Sequence, residues 1–350
     1  MRTLRADALQ TLIARACEQM GAAPKDADCV AASLVQANLC GYASHGVFRL
    51  AQYHAWWKQG LLRPSAQPAL AEEHGFAALV DGGWAFGQVV ARFAANVALS
   101  KARIAGIAAV TARNSNHVGR LADAVAPLKV AGLIGLAAAN DSGAGQAVVP
   151  WGGMDGRLST NPIAVGVPGG TGPGILFDFS TSAAAAGKVR QLLLAGKPTP
   201  DGWLIDATGA PTCDPAALFR EPHGSLLPAG GHRGFALSLL VEVLAGILSG
   251  AGCANPRPGP EEMNGMFILA LDPSWFLPLE TFRAQVDQLT AHVKTSRPMP
   301  GMDPVHIPGE QSRREALLRE RVGITLDDTT CRMLAAVCRE LNLPDTLPFQ

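Results

Sequence analysis

Apolar residues recur at helical spacing near both ends of the chain and fall into short runs between glycines and prolines in the middle. Leu9, Leu12, Ile13, Ala16 and Met20 predict an amphipathic helix over 5–20, closed by Gly21. Pro24 opens a second helix with Ala27, Val30, Ala31, Leu34 and Val35 on one side, and the stretch from His45 to about Gln59 predicts a third. Helices over roughly 311–321 and 327–341, separated by Gly323, repeat this style at the C-terminal end. Between them the runs Ala77–Val80, Ile107–Thr111, Leu133–Ala138, Ile163–Val167, Ile175–Asp178 and Met266–Leu271 read as strands. Phe86–Ala105, Arg120–Val130, Thr181–Leu194 and Arg233–Ser249 read as helices. The last carries Leu237, Leu240, Val241, Leu244, Ala245 and Leu248 on one stripe with Glu242 off it, which predicts a buried helix. Strands mixed with helices predict an α/β or α+β core over 74–308, against which the helical segments 1–73 and 309–350 pack together. Residues 254–260 and the proline- and glycine-rich 295–310 read as loops.

Composition narrows the function. The 350 residues carry 29 basic and 29 acidic side chains, with no charge run, so no electrostatic footprint for nucleic acid or an anionic membrane is present. Charged residues make up 17% and apolar residues 48%, a balance that calls for a large core or a subunit interface. Seven cysteines (Cys17, Cys29, Cys40, Cys213, Cys253, Cys331, Cys338) form no C-x-x-C pair, which argues for reduced thiols rather than a disulfide framework. The first residues enter a helical pattern without an apolar signal core, and the run from Phe235 to Ala251 is broken by Glu242. A soluble, cytoplasmic protein is the expectation.

The densest chemistry lies in Ser44-His45-Gly46-Val47-Phe48-Arg49. Gly41 interrupts the preceding helix and Ser44 suits an N-cap, so a helix starting there would place His45 and Arg49 at i and i+4 on one face. A proton donor beside a fork-shaped cation suits a substrate with a carboxylate next to a reducible carbonyl. The structural alternative is a cap, a core histidine and a surface arginine. Asn114-Ser115-Asn116-His117-Val118-Gly119-Arg120 follows a strand and precedes a helix, which suits a phosphate or a plain polar turn. Ser159-Thr160-Asn161-Pro162 presents polar groups before a strand, and Asp178-Phe179-Ser180-Thr181-Ser182 ends a strand and caps the next helix. Gly230-Gly231-His232-Arg233-Gly234 puts a basic pair at the positive end of the Arg233–Ser249 helix, a conflict that an anionic ligand would relieve.

Several classes are excluded. No G-x-G-x-x-G or Walker A pattern is present, and Gly82-Gly83, Gly143-Ala144-Gly145 and Gly169-Gly170-Thr171-Gly172 read as turns. Ser44 lacks the nucleophile-elbow spacing, and adjacent Ser44 and His45 diverge on a helix or strand. The eight histidines show no metal-ligand spacing, so no metal is expected.

Together, Ser44-His45-Gly46 with Arg49, Ser115-Asn116-His117-Val118-Gly119, Ser159-Thr160-Asn161-Pro162 and Gly231-His232-Arg233-Gly234-Phe235 resemble, in order, signatures of the malate/L-lactate dehydrogenase family of NAD(P)-dependent 2-hydroxycarboxylate oxidoreductases. Asp178 to Ser182 through Gly187-Lys188, then Leu204-Ile205-Asp206 and Pro211-Thr212, resemble the hydroxycarboxylate dehydrogenase B branch, which handles pyruvate-like and aryl-pyruvate-like acids. The resemblance implies a non-Rossmann, mostly antiparallel sheet flanked by helices, a homodimer, and NAD(H) or NADP(H) as cofactor. It implies that Ser44 orients His45, that His45 or its rival His117 is the acid/base, and that Arg49 and Thr160 hold the substrate. It further implies that His117, Val118, Gly119, Arg120, Leu121, Asp178, Phe179, Ser180, Lys188, His232, Arg233, Pro308, Gly309, Glu310, Arg313 and Arg314 line the cofactor. Two departures stand out: Arg233 where many relatives have lysine, and Ala186 where many have arginine. The alternatives are a cyclic ketimine reductase, separable by assay on piperideine-2-carboxylate, and a non-catalytic dinucleotide-binding protein.

Overall fold

A computed structural model describes residues 1–142, 145–257 and 263–343. The expected turn at Gly143-Ala144 and the end of the 254–260 loop lie outside them. The first part of the chain forms β1 (Arg2–Leu4), α1 (Ala6–Gln19), α2 (Pro24–Leu39), α3 (Arg49–Lys58), β2 (Ala69–His74), β3 (Ala77–Asp81), α4 (Gly87–Ala105), β4 (Ile107–Ser115), α5 (Ala122–Val130) and β5 (Ile134–Asp141). It continues through β6 (Pro162–Val167), β7 (Ile175–Ser180), α6 (Ala186–Leu194), β8 (Leu204–Ile205), β9 (Pro211–Thr212), β10 (Ser225–Leu226) and α7 (His232–Val241). Then come β11 (Asn264–Leu271), α8 (Leu279–Lys294), α9 (Glu310–Val322), β12 (Ile324–Leu326) and α10 (Asp328–Glu340). The six strands legible in the sequence all form, several of them longer than their apolar runs.

Seven strands make one sheet in the order β2-β3-β4-β11-β5-β6-β7. Only β3 and β4 run parallel; every other pairing in this sheet is antiparallel. This is the mixed α/β architecture with helix-flanked sheet that the family resemblance implies, and its strand pattern is not that of a doubly wound nucleotide fold. Period-two alternation sorts β11 between two cores: Met266, Ile268 and Ala270 face α4 and α5, while Phe267 and Leu269 face Val241 and Ala245. A third cluster joins α1, α2 and α3 to α9 and α10, with Leu9, Ile13, Leu34, Leu50 and Leu334 buried together. The ribbon of β1 with β12 ties the two ends of that cluster.

Two expectations are corrected. The helix expected from Thr181 starts at Ala186, because the intervening backbone is spent elsewhere. Thr181 N donates to Thr160 O and Ala183 N to Leu227 O, so these residues cannot make helical bonds. The helix from His232 is not buried along its leucine stripe. Leu237, Leu240 and Leu248 are exposed, and it is Glu242 that lies inside, where the helix passes into a π-turn over Glu242–Ile247. Glu242 accepts hydrogen bonds from Asn140 Nδ2, Asn161 Nδ2 and Ala254 N, which is why a carboxylate can be placed there.

Candidate active site

Gly41, at a φ of +89°, ends α2, and the next residues fold into a single 3-10 turn over Ala43–His45. Gly46 then runs extended, and α3 begins only at Arg49. The expected helix spanning His45 and Arg49 is therefore absent, and the two do not stand at i and i+4 of one helix. The break is imposed by Asn38, whose Oδ1 accepts from Val47 N at 2.8 Å; a Cβ at position 46 would meet that oxygen at 2.0 Å. His45 and Arg49 nevertheless converge on one cavity, of about 210 Å³. Arg49 Nε donates to Ser44 O at 2.9 Å and its Nη1 to Gln52 Oε1 at 2.6 Å. The part of Ser44 that acts here is its backbone carbonyl, and it holds Arg49 rather than His45.

His117 reaches the same cavity from the loop after β4. That loop is tied down: Asn116 Nδ2 donates to Leu61 O, Trp84 O and Ala85 O, and Val118 N donates to Asn264 Oδ1. His45 Nδ1 lies 3.2 Å from His117 Nε2, and His117 Nδ1 lies 2.8 Å from the Tyr53 hydroxyl. Burial, with Arg49 and Arg120 nearby, lowers the His45 pKa to about 3. Burial, Arg49 and His45 likewise hold His117 well below the ordinary histidine value. Both rings are neutral at physiological pH. Thr160, Ser159, Ala186 and Gly187 complete the wall. Gly187 packs so closely that a Cβ there would meet the Ser44 Cβ at 2.6 Å.

A second cavity, of about 400 Å³, adjoins through the same backbone segment. His117, Val118 and Gly119 line the first, and Arg120 and Ala122 line the second. Asp178, Pro308, Gly309, Glu310 and Arg313 line it too. Gly309, at a φ of +98°, permits that loop to lie against β7, since a Cβ there would meet Leu176 O at 2.5 Å. Asp178 does not cap α6; its Oδ2 accepts from Ala122 N and caps α5. Burial raises its pKa to about 6. Lys129 is lowered by burial and by the neighbouring Arg313, a cation pair that a phosphate placed between them would relieve.

Not every expected residue faces these cavities. Leu121 is buried at the start of α5, and Phe179 stacks on Phe177. Ser180 donates to Ser182 O, and Lys188 lies over the Trp203 ring. His232 and Arg233 open α7 as expected, with His232 against Trp151, and Arg314 is exposed. Conversely, Tyr42, Lys129, Asn140, Asp141 and Asn264 line the cavities without having been singled out. Only coordinates bring such isolated polar residues together. Among the described residues there is no group of three or more potential metal ligands, and no helix is long and apolar enough to cross a membrane.

Two adjoining cavities thus hold paired histidines and an arginine in one, and both cations and carboxylates in the other. The malate/L-lactate dehydrogenase family profile matches residues 4–335. Hydroxycarboxylate dehydrogenase B from Escherichia coli is 35% identical over 347 residues, covering 97% of this chain and 94% of its own. The sulfolactate dehydrogenase structure from Methanocaldococcus jannaschii superposes with a TM-score of 0.88 at 31% identity, covering 98% of both chains. A delta1-piperideine-2-carboxylate reductase structure from Pseudomonas syringae superposes with a TM-score of 0.83 at 30% identity, covering 96% of this chain and 100% of its own. The chain belongs to the malate/L-lactate dehydrogenase family. It is an oxidoreductase acting on CH–OH donors, and a nicotinamide dinucleotide is the cofactor that this family implies.

Proposed function

We propose that this protein interconverts small 2-oxo and 2-hydroxy acids of the malate, lactate or aryl-lactate type, with His45 as acid/base. One observation carries the assignment: both ring nitrogens of His117 are engaged, by His45 and Tyr53, whereas His45, which lines the cavity, has no hydrogen bond at Nε2 among the described residues. Arg49, whose Nε and Nη1 are fixed by Ser44 and Gln52, grips the substrate carboxylate, and Thr160 contacts its other side. His45 Nε2 protonates the carbonyl oxygen in reduction and takes the hydroxyl proton in oxidation. The dinucleotide, NAD(H) or NADP(H), supplies or accepts the hydride when bound. It would be held by His117 to Arg120, the 308–310 loop and Arg313, which wall the two cavities. Segment 1–73 contributes residues to both cavities and 309–343 to the second, so we read them as part of the catalytic unit.

A second copy of the chain fits the exposed apolar face of α7 and its π-turn, where Leu239, Leu240, Val243, Ile247 and Leu248 are 45–59% exposed. A homodimer is the proposed assembly. The deciding experiment follows loss of the reduced-nicotinamide absorbance with NADH and with NADPH against pyruvate, oxaloacetate, phenylpyruvate and piperideine-2-carboxylate. Turnover of a 2-oxo acid is expected. Turnover of the cyclic imine alone would replace this reading with ketimine reduction.

A further inference from the structure

Behind the two histidines lies a buried polar chain that the reaction has not yet used. Tyr53 is 1% exposed, Gln88 4% and His117 6%, in a region otherwise packed with Phe86 and Trp56. Gln88 Nε2 lies 2.7 Å from the Tyr53 hydroxyl, which lies 2.8 Å from His117 Nδ1; His117 Nε2 lies 3.2 Å from His45 Nδ1. The contacts come from four separate parts of the fold: α4, α3, the loop after β4 and the 3-10 turn before α3. Their juxtaposition depends on Gly87, where a Cβ would meet the backbone oxygens of Asn116 and His117 at 2.3 Å. A larger residue there would force the start of α4 and the loop carrying His117 apart.

The donors and acceptors of this chain can all point one way. A glutamine N–H donates to the phenol oxygen, the phenol O–H to His117 Nδ1, the His117 Nε2–H to His45 Nδ1, and the His45 Nε2–H then faces the cavity. We propose that Tyr53, held by Gln88, is the inner end of a proton relay that charges His45, and that Gln88 is the positioning residue that sets its direction. The proposal rests on the hydroxy-acid reading above and extends it to residues that do not touch substrate.

The balance closes without a charged imidazole. As the carbonyl carbon gains its hydride, the C=O π pair moves to oxygen, which takes the proton from His45 Nε2. His45 Nδ1 takes the Nε2 proton of His117, and His117 Nδ1 takes the phenolic proton. Each imidazole ends neutral as the other tautomer. The phenolate that remains keeps the Gln88 N–H as a donor, and a solvent proton returns along the same path once product has left the cavity. The two rings, held neutral by burial, store no spare proton of their own, which gives the phenol a purpose. Gln88 Oε1, buried and without a hydrogen-bond partner among the described residues, costs the fold an unsatisfied acceptor. That cost is explicable if the amide is kept for its donor.

Tyr53→Phe tests this, because it keeps the ring against Trp56 and Phe86 and removes only the hydroxyl. Expected results are a fall in kcat for 2-oxo acid reduction of roughly 10-fold or more, and a multi-proton solvent isotope inventory that becomes a single-proton one. In the cofactor-free protein, ¹⁵N imidazole spectra should show His117 with an unprotonated Nδ1 in the wild type and a changed tautomer in Tyr53→Phe. Gln88→Leu should move the same signals while leaving Tyr53 in place. Wild-type kcat, inventory and tautomers in a folded Tyr53→Phe protein would overturn the relay. If the wild type turned over no 2-oxo acid, the dehydrogenase reading would fail instead, and the tautomer spectra would still decide whether the hydrogen-bonded chain has this direction.

Discussion

The imidazoles of His45 and His117 are parallel to within 1° and joined nitrogen to nitrogen at 3.2 Å. Burial and the nearby Arg49 oppose a charge on either ring, joined by Arg120 for His45 and by His45 itself for His117. The consequence for stability has a definite sign. A histidine whose folded pKa lies below its unfolded value contributes stability that is present above the unfolded value, 6.5 here, and is lost as pH falls toward the folded one. For His45 the window runs from 6.5 down to about 3. Between pH 7 and pH 4 the protein should lose about 3 kcal/mol through this residue. His45→Asn should flatten that part of the curve, measured as the urea midpoint against pH.

Activity should separate the two histidines. His45→Ala should lower kcat by ~10²-fold or more with the dinucleotide Kd nearly unchanged. Arg49→Lys, which replaces a planar fork by a point charge, should mainly raise KM for the acid. Steady-state kinetics with fluorescence titration of the reduced cofactor checks both. A dead His117→Ala beside a fully active His45→Ala would reverse the roles.

Glu242 is the anchor of the polar core under α7, receiving Asn140, Asn161 and the Ala254 amide. Removing its carboxylate takes one acceptor from each of three donors; Asn140 keeps Gly252 O and Asn161 keeps Ser238, while the Ala254 N–H loses its carboxylate partner. Glu242→Ala should cost about 3 kcal/mol, read from equilibrium denaturation. An exposed glutamate such as Glu320 changed to alanine should cost little by comparison.

The leucine face of α7 predicts assembly. Leu240→Asp combined with Ile247→Asp should convert a dimer to a monomer in light scattering while leaving the isolated fold intact, since both side chains are exposed in the single chain. A wild type that is monomeric at high concentration would refute the proposed interface.

Much of this was legible in the sequence because it is local. Strand positions follow from apolar runs bounded by glycine and proline, and Ser44-His45-Gly46 with Arg49 carries its chemistry within six residues. The local rules misled where a distant partner decided the outcome. Asn38 breaks the expected helix at Gly46, the Thr160 and Leu227 carbonyls claim the backbone before α6, and Glu242 exchanges places with the leucines. Tyr53 and Gln88 gave no signal, because a tyrosine on an amphipathic helix and a glutamine at a helix start are ordinary until the fold sets them 2.7 Å apart.

The position of β11 has a bearing on how the molecule is made. Its eight residues, Asn264–Leu271, fill the slot between β4 and β5, strands that leave the ribosome more than a hundred residues earlier. Until they arrive, the growing polypeptide holds two half-sheets with unpaired inner edges, a state prone to sticking to its neighbours and to need chaperone shelter. Fragments ending before this strand should therefore be aggregation-prone, and the native sheet should form only late in synthesis.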